Sequence, residues 1–247
     1  MKNIKISIQY LGKNYYGMQI QPDKPTIQGE VEKALKELFK CEIKLNYAGR
    51  TDASVNAYNM VCNFFVDTNI EPNKIAYALN YLLPDDIKVL KSCEVEDDFN
   101  ARFSAKEKTY VYKFYTNYFE LPMFKNEVCV KEKIDLKKMK KCAKYIIGKH
   151  DFSAFTNSDC DKEDRVREVK KIEIKSNKID DIMHYEVYVT GTGFLYNMVR
   201  IIIGTLVMFN KKTYDAKIIK DIISSKDRTK AGRTMPPEGL SLLSVKY

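Results

Sequence analysis

The amino-acid sequence predicts an α+β fold built as two tandem halves, and two observations lead to it. Alternating apolar segments and helix-period segments follow one another as strand–helix–strand–strand–helix–strand between residues 4 and 95, and a comparable order of patterns returns between residues 108 and 247. No Pro/Gly/Ser-rich linker separates the two stretches, and residues 98–106 are the expected boundary. Each stretch has the order of a split βαβ unit. The expectation is two ferredoxin-like halves, 1–104 and 105–247, forming a mixed, mainly antiparallel sheet with helices on one side and a central cleft. A chain of 247 residues is long enough for both halves to have cores.

The elements follow in order. "NIKISIQY" places Ile4, Ile6, Ile8 and Tyr10 on one face and Lys5, Ser7 and Gln9 on the other, a half-buried strand. "TIQGEVEKALKELFK" is a helix with Thr26 as N-cap and Ile27, Val31, Leu35 and Leu38 at helical spacing. A strand over 43–48 runs into the loop Ala48-Gly49-Arg50-Thr51-Asp52-Ala53, and the next strand is expected over 61–67. "PNKIAYALNYLL" is a helix with Ile75, Leu79 and Leu82 inward, and "IKVLKSCEV" closes the half as a strand. In the second half, "KTYVYKFYT" is a strand and "DLKKMKKCAKYIIGKH" a helix with Leu136, Met139, Ala143 and Ile146 inward. Two strands ("VKKIEIKS", "MHYEVYVTG"), two helices ("YNMVRIIIGTLVMF", "DAKIIKDIISS") and a last strand ("LSLLSVKY") complete it.

Composition narrows the function classes. Apolar residues at 45% and charged residues at 30% are ordinary for a globular protein. The longest apolar run, "MVRIIIGTLVMF", is broken by Arg200 and falls short of the ~20 residues that span a bilayer. "MKNIKISIQY" enters a strand pattern at once, without a signal-peptide core, so a cytoplasmic protein without a membrane partner is expected. The six cysteines are scattered without a Cys-x-x-Cys pair and read as small buried residues of a reducing compartment. With only two histidines, a His-rich metal site or a His-dependent triad has little support. There is no P-loop, no H-E-x-x-H and no G-x-S-x-G, and "GTGFLY" has Tyr196 where a dinucleotide loop needs its third glycine. No cofactor and no metal are expected. The net charge of +9 favours a polyanionic partner, most simply nucleic acid, although the lysine-rich "DLKKMKKCAKYI" reads as a solvated helix face.

Two charges stand out. Arg200 is the only charge in a helix that is apolar nearly all round. A buried, unpaired guanidinium costs several kcal/mol. Arg200 therefore either reaches the surface along its apolar stem or faces an anion. Asp52, in a loop between core strands, is a candidate anion. A carboxylate so paired stays ionised and suits a nucleophile or base. The plainer alternative makes Asp52 a turn residue capping its own loop and Arg50 a surface arginine.

"AGRTDASVNA" resembles the A-G-R-T-D-x-G-V-x-A signature of the TruA family of tRNA pseudouridine synthases. Six further stretches resemble that family in the right order: "YLGKNYYGMQIQP", "TIQGEVEKAL", "DDFNARFSAKEKTYVYKFY", "GKHDFSAF", "GTGFLYNMVRIIIGTL" and "PPEGLSL". The resemblance implies that Asp52 is the catalytic carboxylate, that Tyr110 stacks on the target base, that Arg200 pairs with Asp52, and that Arg50 helps hold a flipped nucleotide. It also implies a cofactor-free homodimer that isomerises uridine in the tRNA anticodon arm, at positions 38 to 40. The chemistry suits these residue types, because a uridine must leave its stack to be reached and an aromatic platform with a cation stabilises it outside. Asp52 would either form a covalent adduct or take a proton from the ribose. Arg102, Arg167 and the stretch "KDRTKAGR", with Arg228 and Arg233, are the expected RNA contacts. The family's glycine, histidine and tryptophan are here Ser54, Asn56 and Met18, which bears on substrate choice. A paralogue acting on another RNA, or a non-catalytic RNA-binding protein on the same scaffold, are the alternatives.

Overall fold

The computed structural model describes residues 1–157, 163–210 and 213–247. Ten strands, mostly antiparallel, five α-helices and six short 3-10 helices make up the regular structure of these residues. The chain divides into two units, Met1–Lys106 with Ser241–Tyr247, and Glu107–Leu240.

In the first unit the order is β1 (Lys2–Tyr10), α1 (Ile27–Phe39), β2 (Asn46–Tyr47), β3 (Asn56–Val66), α2 (Ile75–Leu82) and β4 (Ile87–Val95). β1 lies between β3 and β4, antiparallel to both. Its apolar face is the core expected from the alternation: Ile4, Ile6 and Ile8 are fully buried and sit opposite Phe64, Cys62 and Met60 of β3. The polar face is less wet than its composition suggests. Asn3 is buried, donates to the carbonyls of Glu96 and Phe99, and accepts from Asn63. Thr26 caps α1, its hydroxyl accepting the Gly29 N–H, and Ile27, Val31, Ala34 and Leu35 go inward. The two strands around the Asp52 loop differ from expectation. The strand expected over 43–48 shrinks to Asn46–Tyr47, and the one expected over 61–67 already starts at Asn56. The reason is pairing: β2 covers β3 only at Asn63 and Cys62, while the polar start of β3 is held by β10 (Leu240–Lys246), parallel at Ser241–Asn56 and Leu242–Ala57.

The second unit runs β5 (Glu107–Thr116), β6 (Val128–Val130), α3 (Leu136–Lys144), β7 (Gly148–Asp151), β8 (Val166–Ile179), β9 (Ile182–Gly191), α4 (Met198–Met208) and α5 (Ile218–Ser225). Its strand order is β5-β9-β8-β7, with β6 parallel to β5 on the side away from β9. The helix expected over "DLKKMKKCAKYIIGKH" ends at Lys144, because Gly148 has φ +126° and β7 begins there, pairing with β8. α4 is the buried helix its composition predicts: Met198, Val199, Ile201, Ile202, Ile203, Leu206 and Val207 are all inside. The cysteines follow expectation in part. Cys62 and Cys142 are buried, Cys93 and Cys129 half-buried, and Cys41, at the end of α1, is exposed; Cys160 lies outside the described residues. No helix of the described residues is long and apolar enough to cross a membrane.

Candidate active site

Asp52 lies in the loop between β2 and β3, and the chain builds that loop against the segment that follows β1. Thr51 is buried, and its hydroxyl shares a hydrogen bond of 2.8 Å with the Tyr10 phenol. Its carbonyl accepts the Met18 N–H at 3.1 Å, and the Ser54 N–H donates to the Tyr15 carbonyl at 3.3 Å. Asn56 accepts the Gly12 N–H at 2.8 Å. Tyr15 is itself fixed by its phenol donating to Asp86. At Gly17 the two segments meet backbone to backbone: it sits at φ +90°, and a Cβ there would lie 2.5 Å from the Thr51 carbonyl oxygen. Asp52 is thus carried on a loop fixed from both sides, with its own side chain half-exposed.

The three departures from the family pattern line this loop. Met18 is fully buried. Asn56 makes the bond to Gly12 just given. Ser54 is the third residue of a turn closed by the Val55 N–H on the Asp52 carbonyl at 3.2 Å, and it has φ +64°. An L-residue costs about 1 kcal/mol in that region, whereas glycine enters it freely. Glycine gives part of this back through a more disordered unfolded chain. Ser54→Gly is therefore expected to raise Tm by about 1–4 °C in a scanning calorimeter. An unchanged or lower Tm would show that the loop carries no strain at this residue.

Arg50 and Arg102, both exposed, converge on Tyr47 of β2. Burial pushes the Tyr47 phenol up from its ordinary pKa, while the Arg50 guanidinium, to which it is hydrogen-bonded, and the charge of Arg102 pull it the other way. Arg102 also stacks its guanidinium over the exposed Phe103 ring, 5.4 Å from the centroid. A cationic and aromatic rim therefore flanks the Asp52 loop. Tyr47 was not singled out by sequence reasoning; its only signal is its place one residue before the motif.

In the second unit, Tyr110 lies on β5 opposite Val189 of β9. Its ring packs edge-on against Phe194 at 5.4 Å, and 8% of the residue remains exposed. Arg200, on α4, is half-buried; its Nε donates to the Met235 carbonyl and its Nη1 to Asn197 Oδ1, both at 2.6 Å. Asn197 is a further residue that the sequence did not announce. It stands at the N-cap of α4 with φ +59°, yet its side chain makes no capping bond; its amide oxygen faces Arg200 instead. The loop that includes Arg228 and Arg233 rests on α4. Gly204 allows this, since a Cβ there would lie 1.9 Å from the Arg233 carbonyl oxygen. Two guanidinium donors of Arg228 hold the loop itself, bonding the Gly232 carbonyl at 2.9 Å and the Thr234 hydroxyl at 3.1 Å. Arg233 is exposed. Arg167 turns back onto the carbonyls of Val166, at the start of β8, and of Asp164, just before it. Among the described residues, no group of three or more His, Cys, Asp and Glu is placed to hold a metal ion.

Comparison with known proteins adds an independent finding. Residues 6–104 and 142–247 match a family model described as tRNA pseudouridine synthase. A protein named tRNA pseudouridine synthase A from a Thermoanaerobacter species is 42% identical over 248 residues, covering 100% of both chains. One of the same name from Acetivibrio thermocellus is 41% identical over 248 residues, again covering 100% of each. A protein named tRNA pseudouridine synthase A 2 from Clostridium perfringens is 41% identical over 250 residues with the same full coverage. Likeness to solved structures is loose: a chain of a Cbf5-Nop10-Gar1 complex matches at TM-score 0.36 and 12% identity, over 96% of this chain and 57% of that one.

Proposed function

The chain belongs to the tRNA pseudouridine synthase family, and on that premise we propose that it isomerises uridine to pseudouridine in the anticodon stem-loop of tRNA. The observation that supports this most is the Asp52 loop: its Gly-Arg-Thr-Asp sequence, its fixation by the segment from Tyr10 to Met18, and the half-exposed carboxylate it presents. A catalytic group held on a rigid loop keeps its geometry through the reaction.

In the reaction the N1–C1′ bond of uridine breaks, the uracil turns, and a C5–C1′ bond forms. N1 ends with a proton and C5 loses one, so the product has the mass of the substrate. In our reading Asp52 is the carboxylate that acts on the extruded nucleotide, as nucleophile or as base. Tyr110 stacks on the base, Arg200 keeps Asp52 ionised and oriented, and Arg50 helps hold the flipped nucleotide. Arg102, Arg228 and Arg233 contact phosphates. The protein works as a homodimer in the cytoplasm, one protomer gripping the tRNA body while the other acts. Release of tritium from tRNA labelled at uridine C5 tests the proposal, because only a reaction that replaces the C5 hydrogen frees it. No release from any tRNA would overturn it.

The stacking role of Tyr110 makes a separate prediction. Stacking needs the ring and not the hydroxyl, and is worth about 1–3 kcal/mol per base. Tyr110→Phe is expected to keep substantial RNA binding and turnover, whereas Tyr110→Ala loses roughly 10- to 100-fold in tRNA affinity. Filter binding at a temperature where circular dichroism shows both variants folded checks this. Equal behaviour of the two would assign Tyr110 to packing against Phe194 alone.

A further inference from the structure

The net charge of +9 is very unevenly divided. The first unit has 15 Lys and Arg against 14 Asp and Glu, and the second has 27 against 19. Much of this excess sits on and beside α3. Residues 131–149 contain eight lysines and two acids, and both acids are engaged locally. Asp135 caps α3 by accepting the Lys138 N–H at 3.1 Å, and Glu132 lies 3.8 Å from Arg233. Lys137, Lys140, Lys141 and Lys144 share one helix face, all exposed, and none of their side chains has a hydrogen bond or ion pair among the described residues. Lys220 of α5 lies over the Tyr145 ring at 5.2 Å and extends the positive surface to a second helix.

The fold gains little from this arrangement. Lys137 and Lys141, and Lys140 and Lys144, repel as like charges one helical turn apart. The helix dipole favours Lys141 and Lys144 in the last turn but disfavours Lys137 in the first. The stripe also connects with the candidate site. Met235 and Arg200 exchange bonds in both directions, the Arg200 side chain to the Met235 carbonyl and the Met235 N–H to the Arg200 carbonyl. Two residues before Met235, Arg233 reaches Glu132, three residues ahead of the α3 cap. A chain of contacts therefore leads from Arg200 along this loop to the start of α3.

We propose that the α3 lysine face is a second RNA-contact surface, which binds the phosphate backbone of a duplex arm of the tRNA remote from the reacting uridine. This rests on the reading of tRNA as substrate. Lysines on a convex helix act as point charges and suit phosphates. Tyr145, at the C-terminal end of α3, is covered by Lys220, and the four positions of the face carry lysines and no aromatic side chain, which favours a phosphate backbone over unstacked bases. Contacts of this kind position an RNA without reading its sequence.

The test compares a full-length tRNA transcript with its isolated anticodon stem-loop, for wild type and for the combined variant Lys137→Gln, Lys140→Gln, Lys141→Gln and Lys144→Gln. The expected result is a Kd for the transcript raised roughly tenfold, with the slope of log K against log salt reduced by about one for each lysine in contact. Stem-loop affinity and kcat should stay at wild-type values. Unchanged transcript binding would overturn the proposal and leave α3 a solvated face. Equal losses on both RNAs would also overturn it, since the lysines would then act only through general charge. Should the combined variant lose helicity, the pair Lys140→Gln and Lys144→Gln gives the same comparison. Binding is read apart from turnover, so a wild-type protein that binds both RNAs and modifies neither would defeat the proposed reaction and leave the α3 result standing.

Discussion

Asp52→Ala is expected to lower pseudouridine formation by roughly 10⁴-fold, the upper end of what one positioned acid–base group supplies, and by more if the carboxylate is a nucleophile. Binding of tRNA should hardly change, because phosphate contacts provide most of the affinity and Asp52 adds none. The fold should survive as well. Thr51, Ser54 and Asn56 hold the loop through bonds to Tyr10, Met18, Tyr15 and Gly12 that the substitution leaves in place. Single-turnover tritium release with saturating enzyme separates the two quantities. A purified variant with turnover within tenfold of wild type would remove Asp52 from the chemistry.

The second large effect is expected at Arg200. Arg200→Met keeps the apolar stem and deletes the guanidinium, leaving the Met235 carbonyl and the Asn197 amide oxygen without these donors. Loss of charge-assisted bonds at a half-buried position should cost about 2 kcal/mol of stability, read as a lower Tm. Turnover should fall further than stability explains, by roughly 10²- to 10³-fold, the scale of one lost electrostatic partner in an active site. Arg200→Lys should recover part of the loss, since a point charge remains but the planar fork does not. A folded Arg200→Met variant with turnover near wild type, measured well below its Tm, would leave Arg200 a structural residue of α4 and its loop.

Much of the fold can be read from local pattern, where pattern and burial coincide. The strict alternation of β1, the Thr26 cap of α1 and the apolar surround of α4 appear in the structure as expected. What escaped depends on partners distant in sequence. The polar start of β3 at Asn56 becomes strand through β10, almost two hundred residues on, and β7 forms from Gly148 onward because β8 is there to pair with it. The candidate site divides the same way. Asp52 and Arg200 stand out as charges in apolar surroundings, and the motif names them. Tyr10, Tyr47 and Asn197 do not stand out, because their parts are hydrogen bonds that exist only once the chain has folded. Arg167 shows the reverse: basic and well placed in the sequence, it bonds the neighbouring carbonyls of Asp164 and Val166.

The most direct test of the account is chemical mapping of pseudouridine in unmodified tRNA transcripts incubated with the purified protein, beside the same transcripts incubated with the Asp52→Ala variant. The account predicts conversion of uridine in the anticodon stem-loop by the wild type and none by the variant. Absence of pseudouridine from every transcript, or an identical pattern with both proteins, would contradict it.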